Sequence, residues 1–536
     1  MRLVAAALVL HLVLIQPNHP AAMTWGALLL FPLELPVLLL ALIAVPPGRT
    51  ATVFRAVLTG AMTVLVLLKA ADYGMFTALG RGFNPVADLP LIEAGVRLLV
   101  GSVGPVLAIA ACVAAVLVAA VVAWAIWWAT GVWNRIAPGR RVIAGTALAA
   151  GTFAGIAIAD VGSAMGRWAL PVDFPGAAFT ARVAVERIAT ARETISNLRA
   201  FEAAARNDPY ADRDGLLTVV DRDVLIVFVE SYGRASFDTP LYAGTHGATL
   251  DAAQTRLAAA GLSMRSGWLH APTRGGQSWL SHASFANGLW IADQSSYGAA
   301  LVSGRQTLFH MAQRSGFRTA AVMPQITLDW PEADFMGFDT VLAAQDLGYR
   351  GAPFNWVTMP DQFTFAALDR KLRSGASAEP LFVQIALGSS HAPWTPVPDL
   401  VAWEAIGDGA VFSEMAQAGD PPDVVWRDRD RVRDQYRQAV DYALRVVFDY
   451  AARHASKPPL MIVVGDHQAA GFVALDDRAD VPIHVLGPAA LVERFDLPGW
   501  SAGLVPDPAS EVRPMSDMRD LILETLSGAD LKRSGS

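Results

Sequence analysis

The sequence predicts two kinds of fold in one chain, a bundle of apolar membrane helices followed by an α/β domain around a largely parallel sheet. Three observations predict it. Hydrophobic residues make up 53% of the chain against 17% charged, and nearly all of that excess lies before about residue 160. From about Leu216 onward, short β-branched runs alternate with helical segments. Three of those runs end alike, with acids or histidines beside glycine: Val224–Val229 runs into Glu230-Ser-Tyr-Gly, Leu381–Leu387 into Gly-Ser-Ser-His391, and Leu460–Val464 into Gly465-Asp466-His467. The length of 536 residues exceeds one ordinary domain and agrees with at least two.

Taken in order, five stretches have the composition of membrane spans: Met1–Ile15, Trp25–Val45, Val53–Ala70, Pro105–Trp128 and Val142–Val161. A cleavable leader would be followed by a polar chain; here a second apolar stretch follows, so the first is read as a membrane helix. The arginines set the orientation. Arg2, the loop with Arg49 and Arg55, and the loop with Arg135, Arg140 and Arg141 all fall on one side, the cytoplasmic one. Everything after about residue 162 then lies outside, which in a two-membrane cell is the periplasm. Glu34, between Pro32 and Pro36, is expected within a span, where a carboxylate is either functional or paired inside the bundle. Lys69, Asp72 and Arg81 cluster near the outer end of the third span, positioned for lipid head groups or, equally, for snorkelling and loop solvation.

Residues 177–207 have helical spacing and read as a juxtamembrane helix, either lying on the membrane surface or packed on the globular domain. Asn207–Gly215 is rich in turn residues and marks a boundary. The expected division is thus 1–162 for the membrane part, 163–215 for a helix and linker, and 216–536 for the α/β domain. Within the last, Arg318–Met323 and Val481–Leu486 read as further strands and Asp430–Tyr450 as a long amphipathic helix. The stretch from Trp394 to about Arg427, rich in Pro, Gly and Asp, is long enough for a lid or rim. The net charge of −7, with no basic run in the α/β part, argues against a nucleic-acid partner. Cys112 is the only cysteine, so neither an intrachain disulfide nor a cysteine zinc site can form.

Open α/β sheets place their chemistry beyond the carboxyl ends of the strands. Glu230, His391 and the Asp466-His467 pair are all expected there. A hard carboxylate oxygen beside an imidazole nitrogen suits zinc or manganese. Gly-Asp-His by itself is most often a structural turn; Glu230 at the end of a second strand turns the reading toward a metal site. A nucleophile candidate lies in Pro272-Thr-Arg-Gly-Gly-Gln-Ser278-Trp-Leu-Ser-His282, where two glycines precede a serine that opens a helix. That helix end offers unpaired N–H groups to an anion. Taken alone, the stretch reads more readily as an N-cap serine. Thr273 and Ser281 are weaker nucleophile candidates. His391 is a candidate phosphate ligand or general acid, Arg274 and Trp330 are candidate substrate contacts or simply surface and packing residues, and His484 is a remote candidate for a second metal ligand.

These blocks, Val-Glu230-Ser-Tyr-Gly, Gly-Gly-Gln-Ser278, Ser-Ser-His391 and Gly-Asp466-His467 behind five apolar segments, resemble the alkaline phosphatase/sulfatase superfamily. The branch they resemble is the membrane-bound lipoteichoic acid synthases and phosphoglycerol or phosphoethanolamine transferases. The resemblance implies one manganese or zinc ion held by Glu230, Ser278, Asp466 and His467, with Ser278 as nucleophile and His391 in the substrate-binding position. It implies transfer of a phospho-alcohol head group from a phospholipid donor to an extracytoplasmic glycan or lipid acceptor through a phosphoserine. Two departures from that branch stand out. Serine occupies the position usually held by threonine, and Leu328-Asp-Trp-Pro-Glu332 carries an acid where the lipoteichoic acid synthases carry an arginine. No C/S-x-P-x-R motif for formylglycine occurs, which argues against sulfate-ester hydrolysis by that route. The alternatives are a hydrolase of the same site with water as acceptor, acting on phosphoesters or sulfuric esters, and a non-catalytic envelope sensor or partner-binding protein.

Overall fold

The computed structural model describes residues 1–528 apart from 80, 137–138, 172–173, 329, 356–357 and 376–378. The chain divides into two compact units, Met1–Asn197 and Leu198–Ser536.

The first unit is helical. It opens with two short apolar helices, α1 (Arg2–Ile15) and α2 (Glu34–Ala44), followed by α3 (Arg49–Leu79), α4 (Leu89–Val103), α5 (Pro105–Asn134), α6 (Arg140–Ala164) and the start of α7 (Phe179–Arg206). Among the described residues, three helices are long and apolar enough to cross a membrane: α3, α5 and α6. The other two expected spans are shorter. With 14 and 11 residues, α1 and α2 reach about 21 and 16 Å against a hydrocarbon core of about 30 Å. The expected continuous helix Trp25–Val45 is broken, with a 3-10 segment at Trp25–Leu29 and no α-helix before Glu34. Pro32 has no N–H to donate and its ring obstructs a helix running through it, whereas Pro36 falls in the first turn of α2, where the missing N–H is unpaired in any case.

Glu34, Lys69, Asp72 and Arg81 each find a partner within this unit. Glu34 lies at the start of α2 rather than mid-span, and its Oε1 accepts from Ala181 N–H (2.8 Å). Lys69 Nζ donates to Leu14 O (2.9 Å) and Thr180 Oγ1 (2.7 Å). Asp72 accepts from Asn18 Nδ2 (3.1 Å) and Phe83 N–H (2.9 Å), and Arg81 grips Asp88 with both terminal nitrogens. Lys69 and Asp72 are buried; neither head groups nor bulk water supplies their partners.

The second unit is a three-layer α/β/α domain. Its strands are β1 (Val224–Val229), β2 (Ser263–His270), β3 (Arg318–Met323), β4 (Thr340–Ala343), β5 (Leu381–Ala386), β6 (Leu460–Gly465), β7 (Asp480–Gly487), β8 (Ser501–Ala502) and β9 (Val512–Pro514). They form one sheet in the order β4-β3-β5-β1-β6-β7-β2-β8, with β9 beside β2. The run from β4 to β6 is parallel; β7 is antiparallel to β6, and β2 to β7. Every residue of β1 is buried, as the unbroken apolar run requires for a strand covered on both faces. Each such side chain contributes roughly 1.5–3 kcal/mol by leaving water.

The alternation of side chains sorts the core. Leu225, Val227 and Val229 face one layer, which includes α8 (Pro240–Ala259) and the long amphipathic helix α11 (Arg429–Arg453). Val224, Ile226 and Phe228 face the other, with Phe285 of α9 (Ser278–Asn287) and the C-terminal α12 (Met518–Leu526). Helix α10 (Asp361–Leu368) flanks the first layer just ahead of β5. Strand β1 lies between β5 and β6, pairing Phe228 with Ala386 and Val229 with Gly465. The three strand ends singled out in the sequence are thereby neighbours.

Gly465 is fixed by close approach, because a Cβ there would lie 1.8 Å from the carbonyl oxygen of Tyr232. Gly465→Ala is expected to destabilise the domain by about 3 kcal/mol, since a backbone atom must move. Gly244→Ala, on an exposed turn of α8 with no heavy atom near its Cβ, is expected to stabilise by about 0.5–1 kcal/mol. Thermal unfolding of the two variants should shift in opposite directions.

Candidate active site

At the end of β1 the chain turns sharply, with Ser231 in the left-handed region (φ 58°). Its N–H donates to Asp466 Oδ1 (2.8 Å), as does the N–H of His467 (2.7 Å). The turn after β6 is tied to the serine loop as well, because Gly275 N–H donates to Gln468 O (2.8 Å). Gly275 lies at φ 73°, and Gln277, also left-handed at φ 65°, delivers Ser278 to the first position of α9. Ser278 Oγ–H then donates to Glu230 Oε2 at 3.0 Å. The other carboxylate oxygen of Glu230 is 3.1 Å from His467 Nε2, which lies 3.8 Å from Asp466 Oδ1.

Glu230 thus faces α9 because it continues the Ile226–Phe228 side of β1. Ser278, His282 and Phe285 recur at helical spacing on that face, and the rings of His282 and Phe285 lie against Phe228 at 4.0 and 5.4 Å. Ligand-type atoms of Glu230, Asp466 and His467 all fall within 4.8 Å of one another, and the three residues are buried. His467 Nδ1 bonds Gln468 O (3.0 Å). That fixes Nδ1 as the protonated nitrogen and leaves Nε2 to bind a ligand or a second proton.

Crowding two carboxylates out of water sets the charges. Burial alone would raise the Glu230 carboxyl, but the charges of His467 and His391, with hydrogen bonds from His467 and Asp466, hold it well below the usual range. Asp466 is pushed far up, first by burial and then by Glu230 beside it. His467 is held at about 9, because the charges of Asp466 and Glu230 outweigh its burial. Protons therefore occupy places that a divalent cation would take. Two carboxylates, an imidazole nitrogen and a serine hydroxyl form a donor set that fits zinc or manganese.

His391 stands at the mouth of the site. Ser390 Oγ–H donates to Glu230 O (2.7 Å), and His391 Nδ1 bonds the carbonyl of Ala392, so Nε2 has no protein partner among the described residues. The other sequence candidates have other partners. Arg274 is held by Asp477 in an exposed pair (3.0 Å). Trp330 packs over the ends of β3 and β5 with its ring 6.1 Å from Phe338; in the same stretch, Asp329 lies outside the described residues. Thr273 and Ser281 face each other at 3.3 Å. His484, the candidate second metal ligand, is enclosed: Tyr232 Oη lies 3.1 Å from Nε2, Ser266 Oγ lies 2.8 Å from Nδ1, and burial lowers it to about 3. Both its nitrogens are used, so the structure gives it a packing role.

Three features escaped the sequence reading. Asp361, fully buried at the start of α10, accepts from Gly388 and Ser389 N–H (2.8 and 2.9 Å) and so anchors the loop that carries His391. His282 Nε2 and both side-chain polar atoms of Gln468 are buried beside the cluster with no hydrogen-bond partner among the described residues. Only the position of His282, one turn after Ser278, could have pointed to it; Asp361 carries no local signal because its partners are 27 and 28 residues away.

Residues 222–477 match the family described as Sulfatase. No curated protein matches the chain. Among solved structures, the integral membrane lipooligosaccharide phosphoethanolamine transferase A from Neisseria meningitidis shares 14% identity at a TM-score of 0.47, over 97% of this chain and 95% of that one. The lipoteichoic acid synthase LtaP from Listeria monocytogenes shares 14% at 0.39, over 62% of this chain and 77% of that one. The Streptococcus pyogenes phosphoglycerol transferase GacH, solved with sn-glycerol-1-phosphate, shares 14% at 0.38, over 62% and 82%. The segment that delivers Glu230, Ser278, His391, Asp466 and His467 is a sulfatase-family domain.

Proposed function

We propose that the chain is a metal-dependent membrane phosphotransferase that moves a phospho-alcohol head group, phosphoglycerol or phosphoethanolamine, from a phospholipid to an extracytoplasmic glycan or lipid acceptor. The observation that carries this reading is the 3.0 Å hydrogen bond from Ser278 Oγ, at a helix N-terminus, to Glu230 of the buried Glu230–Asp466–His467 cluster. A serine so placed is a nucleophile with an anion site beside it. The motif resemblance supplies the donor class, and the apolar helices hold the chain where that donor is found.

Glu230, Asp466 and His467, with Ser278, would hold one zinc or manganese ion, which supplies the Lewis acidity that lets Ser278 ionise near neutral pH. Ser278 Oγ attacks phosphorus, the bond from phosphorus to the glycerol oxygen of diacylglycerol breaks, and that oxygen takes up a proton. The N–H groups opening α9 and His391 hold the non-bridging oxygens. The resulting phosphoserine is resolved by an acceptor hydroxyl. Topology agrees with an extracytoplasmic site. Arg49 and Arg55 begin α3, Arg135 follows α5, and Arg140 and Arg141 begin α6, so the three long helices alone send the α/β unit across. Five membrane segments, with α1 and α2 as short ones, give the same result.

Ser278→Ala is expected to reduce diacylglycerol release from fluorescent-tailed phosphatidylglycerol or phosphatidylethanolamine by at least about 10³-fold, with the fold intact. Unchanged release would reject Ser278 as nucleophile, and sustained release beyond one equivalent per chain with only water as acceptor would make the enzyme a hydrolase. Metal binding should also expel protons. Because His467 is held at about 9 and Asp466 is raised, both must shed protons to bind an ion, so affinity is expected to rise with pH up to about that value. Calorimetry at pH 7 in buffers of different ionisation enthalpy measures this; no proton release would contradict the assignment.

A further inference from the structure

Beside His391 the α/β unit opens a cleft of about 500 Å³, lined by His391, Ala392, Pro393, Pro422, Asp423 and Trp426. Trp426 is 43% exposed, a large apolar residue left partly in water, yet its ring is held on three sides. It stacks parallel to Trp394 (5.8 Å, 3°), meets Phe472 edge-on at 6.1 Å, and donates Nε1–H to Pro393 O (3.3 Å). The stack is keyed to the reacting centre. Trp394 Nε1–H donates to Ser390 O (2.7 Å), and Ser390 Oγ–H donates to Glu230 O (2.7 Å). A flat aromatic surface therefore stands at a fixed offset from Glu230 and Ser278.

The polar rim of the cleft narrows what fits. Asp423 pairs with Arg427 at 3.2 Å, and both are exposed. Asp423 lines the cleft and holds its partner Arg427 beside it, so acceptors and donors stand together there. An ammonium head group would find a carboxylate already shared with a guanidinium. An acyl chain would strand Asp423, Arg427 and His391 away from water, at a cost. A pyranose ring satisfies both halves, laying its C–H face on Trp426 and the prolines and giving its hydroxyls to the Asp423–Arg427 pair.

We infer that this cleft is the acceptor subsite and that it takes a sugar ring. The inference rests on the transferase reading and adds the acceptor's class and position. In the resolving step a sugar hydroxyl oxygen bonds to phosphorus, the bond from phosphorus to Ser278 Oγ breaks, and the proton lost by the hydroxyl returns to Ser278 Oγ.

The test uses the full chain in nanodiscs, with methyl α-D-glucopyranoside and glycerol as alternative acceptors. Saturation-transfer NMR should show the ring protons of the glucoside in contact with the wild type. That contact should be lost in Trp426→Ala, kept in Trp426→Phe, and not displaced by ethanolamine. With fluorescent-tailed donor, Trp426→Ala should release diacylglycerol and form the Ser278 adduct as the wild type does. Its transfer to glucoside relative to glycerol should fall at least tenfold. No NMR contact in the wild type, equal contact in Trp426→Ala, displacement by ethanolamine, or an unchanged glucoside-to-glycerol ratio would overturn the subsite. Loss of diacylglycerol release in Trp426→Ala would make the cleft part of the donor site and overturn it equally. A wild type that binds glucoside through Trp426 but releases no diacylglycerol would leave the sugar site standing and reject the transferase reading.

Discussion

The structure depends on holding two carboxylates and an imidazole together out of water. Parallel pairing of β1 with β6 sets Val229 opposite Gly465, so the next residues, Glu230 and Asp466, must meet. Nothing about that meeting is favourable for two ionised acids; like charges at close range in a buried site repel strongly. The backbone enforces it all the same. Ser231 and His467 N–H both bind Asp466 Oδ1, and Gly465 lets the Tyr232 carbonyl approach where any Cβ would collide. Protons on Asp466 and His467 relieve the repulsion, and in the proposed function a divalent cation takes their place.

From that centre the rest of the α/β unit can be read outward. Stacking of α9 on Phe228 places Ser278 over Glu230. The Gly275–Gln468 bond ties the serine loop to the His467 turn, so nucleophile and cluster are fixed to each other by backbone rather than by flexible side chains. On the far side of Glu230, Ser390 joins the His391 loop to the β1 end, and Asp361 holds that loop from beneath. Each contact acts in or just beyond a fully buried strand.

Much of this was legible in the chain, for a physical reason. A strand buried on both faces needs a mostly apolar run, and β1, β5 and β6 each have one, interrupted only by Gln384 in β5 and ending beside the residues that matter. The helix opening at Ser278 was legible from the glycines before it. What was not legible depended on partners distant in sequence: Asp361, the enclosed His484, and the Trp394–Trp426 stack. Strand β2, with serine, arginine and glycine inside it, does not read as apolar; it is completed by pairing with β7 across eight residue pairs. In the membrane unit, composition marked the apolar stretches but not their continuity. Pro32 ended what hydropathy alone would have joined, and Lys69 and Asp72, polar enough to suggest a surface, turned inward to bind backbone and hydroxyl groups.

In the proposed function Glu230, Asp466 and His467 form a metal centre with Ser278 against it. The most direct measurement is elemental analysis of the purified, full-length chain after dialysis against trace zinc and manganese, beside Asp466→Asn and His467→Ala. About one divalent ion per chain is expected in the native protein, with loss of most of it in either variant. A native protein that retains no ion, or variants that retain it fully, would rule out a metal centre on these residues.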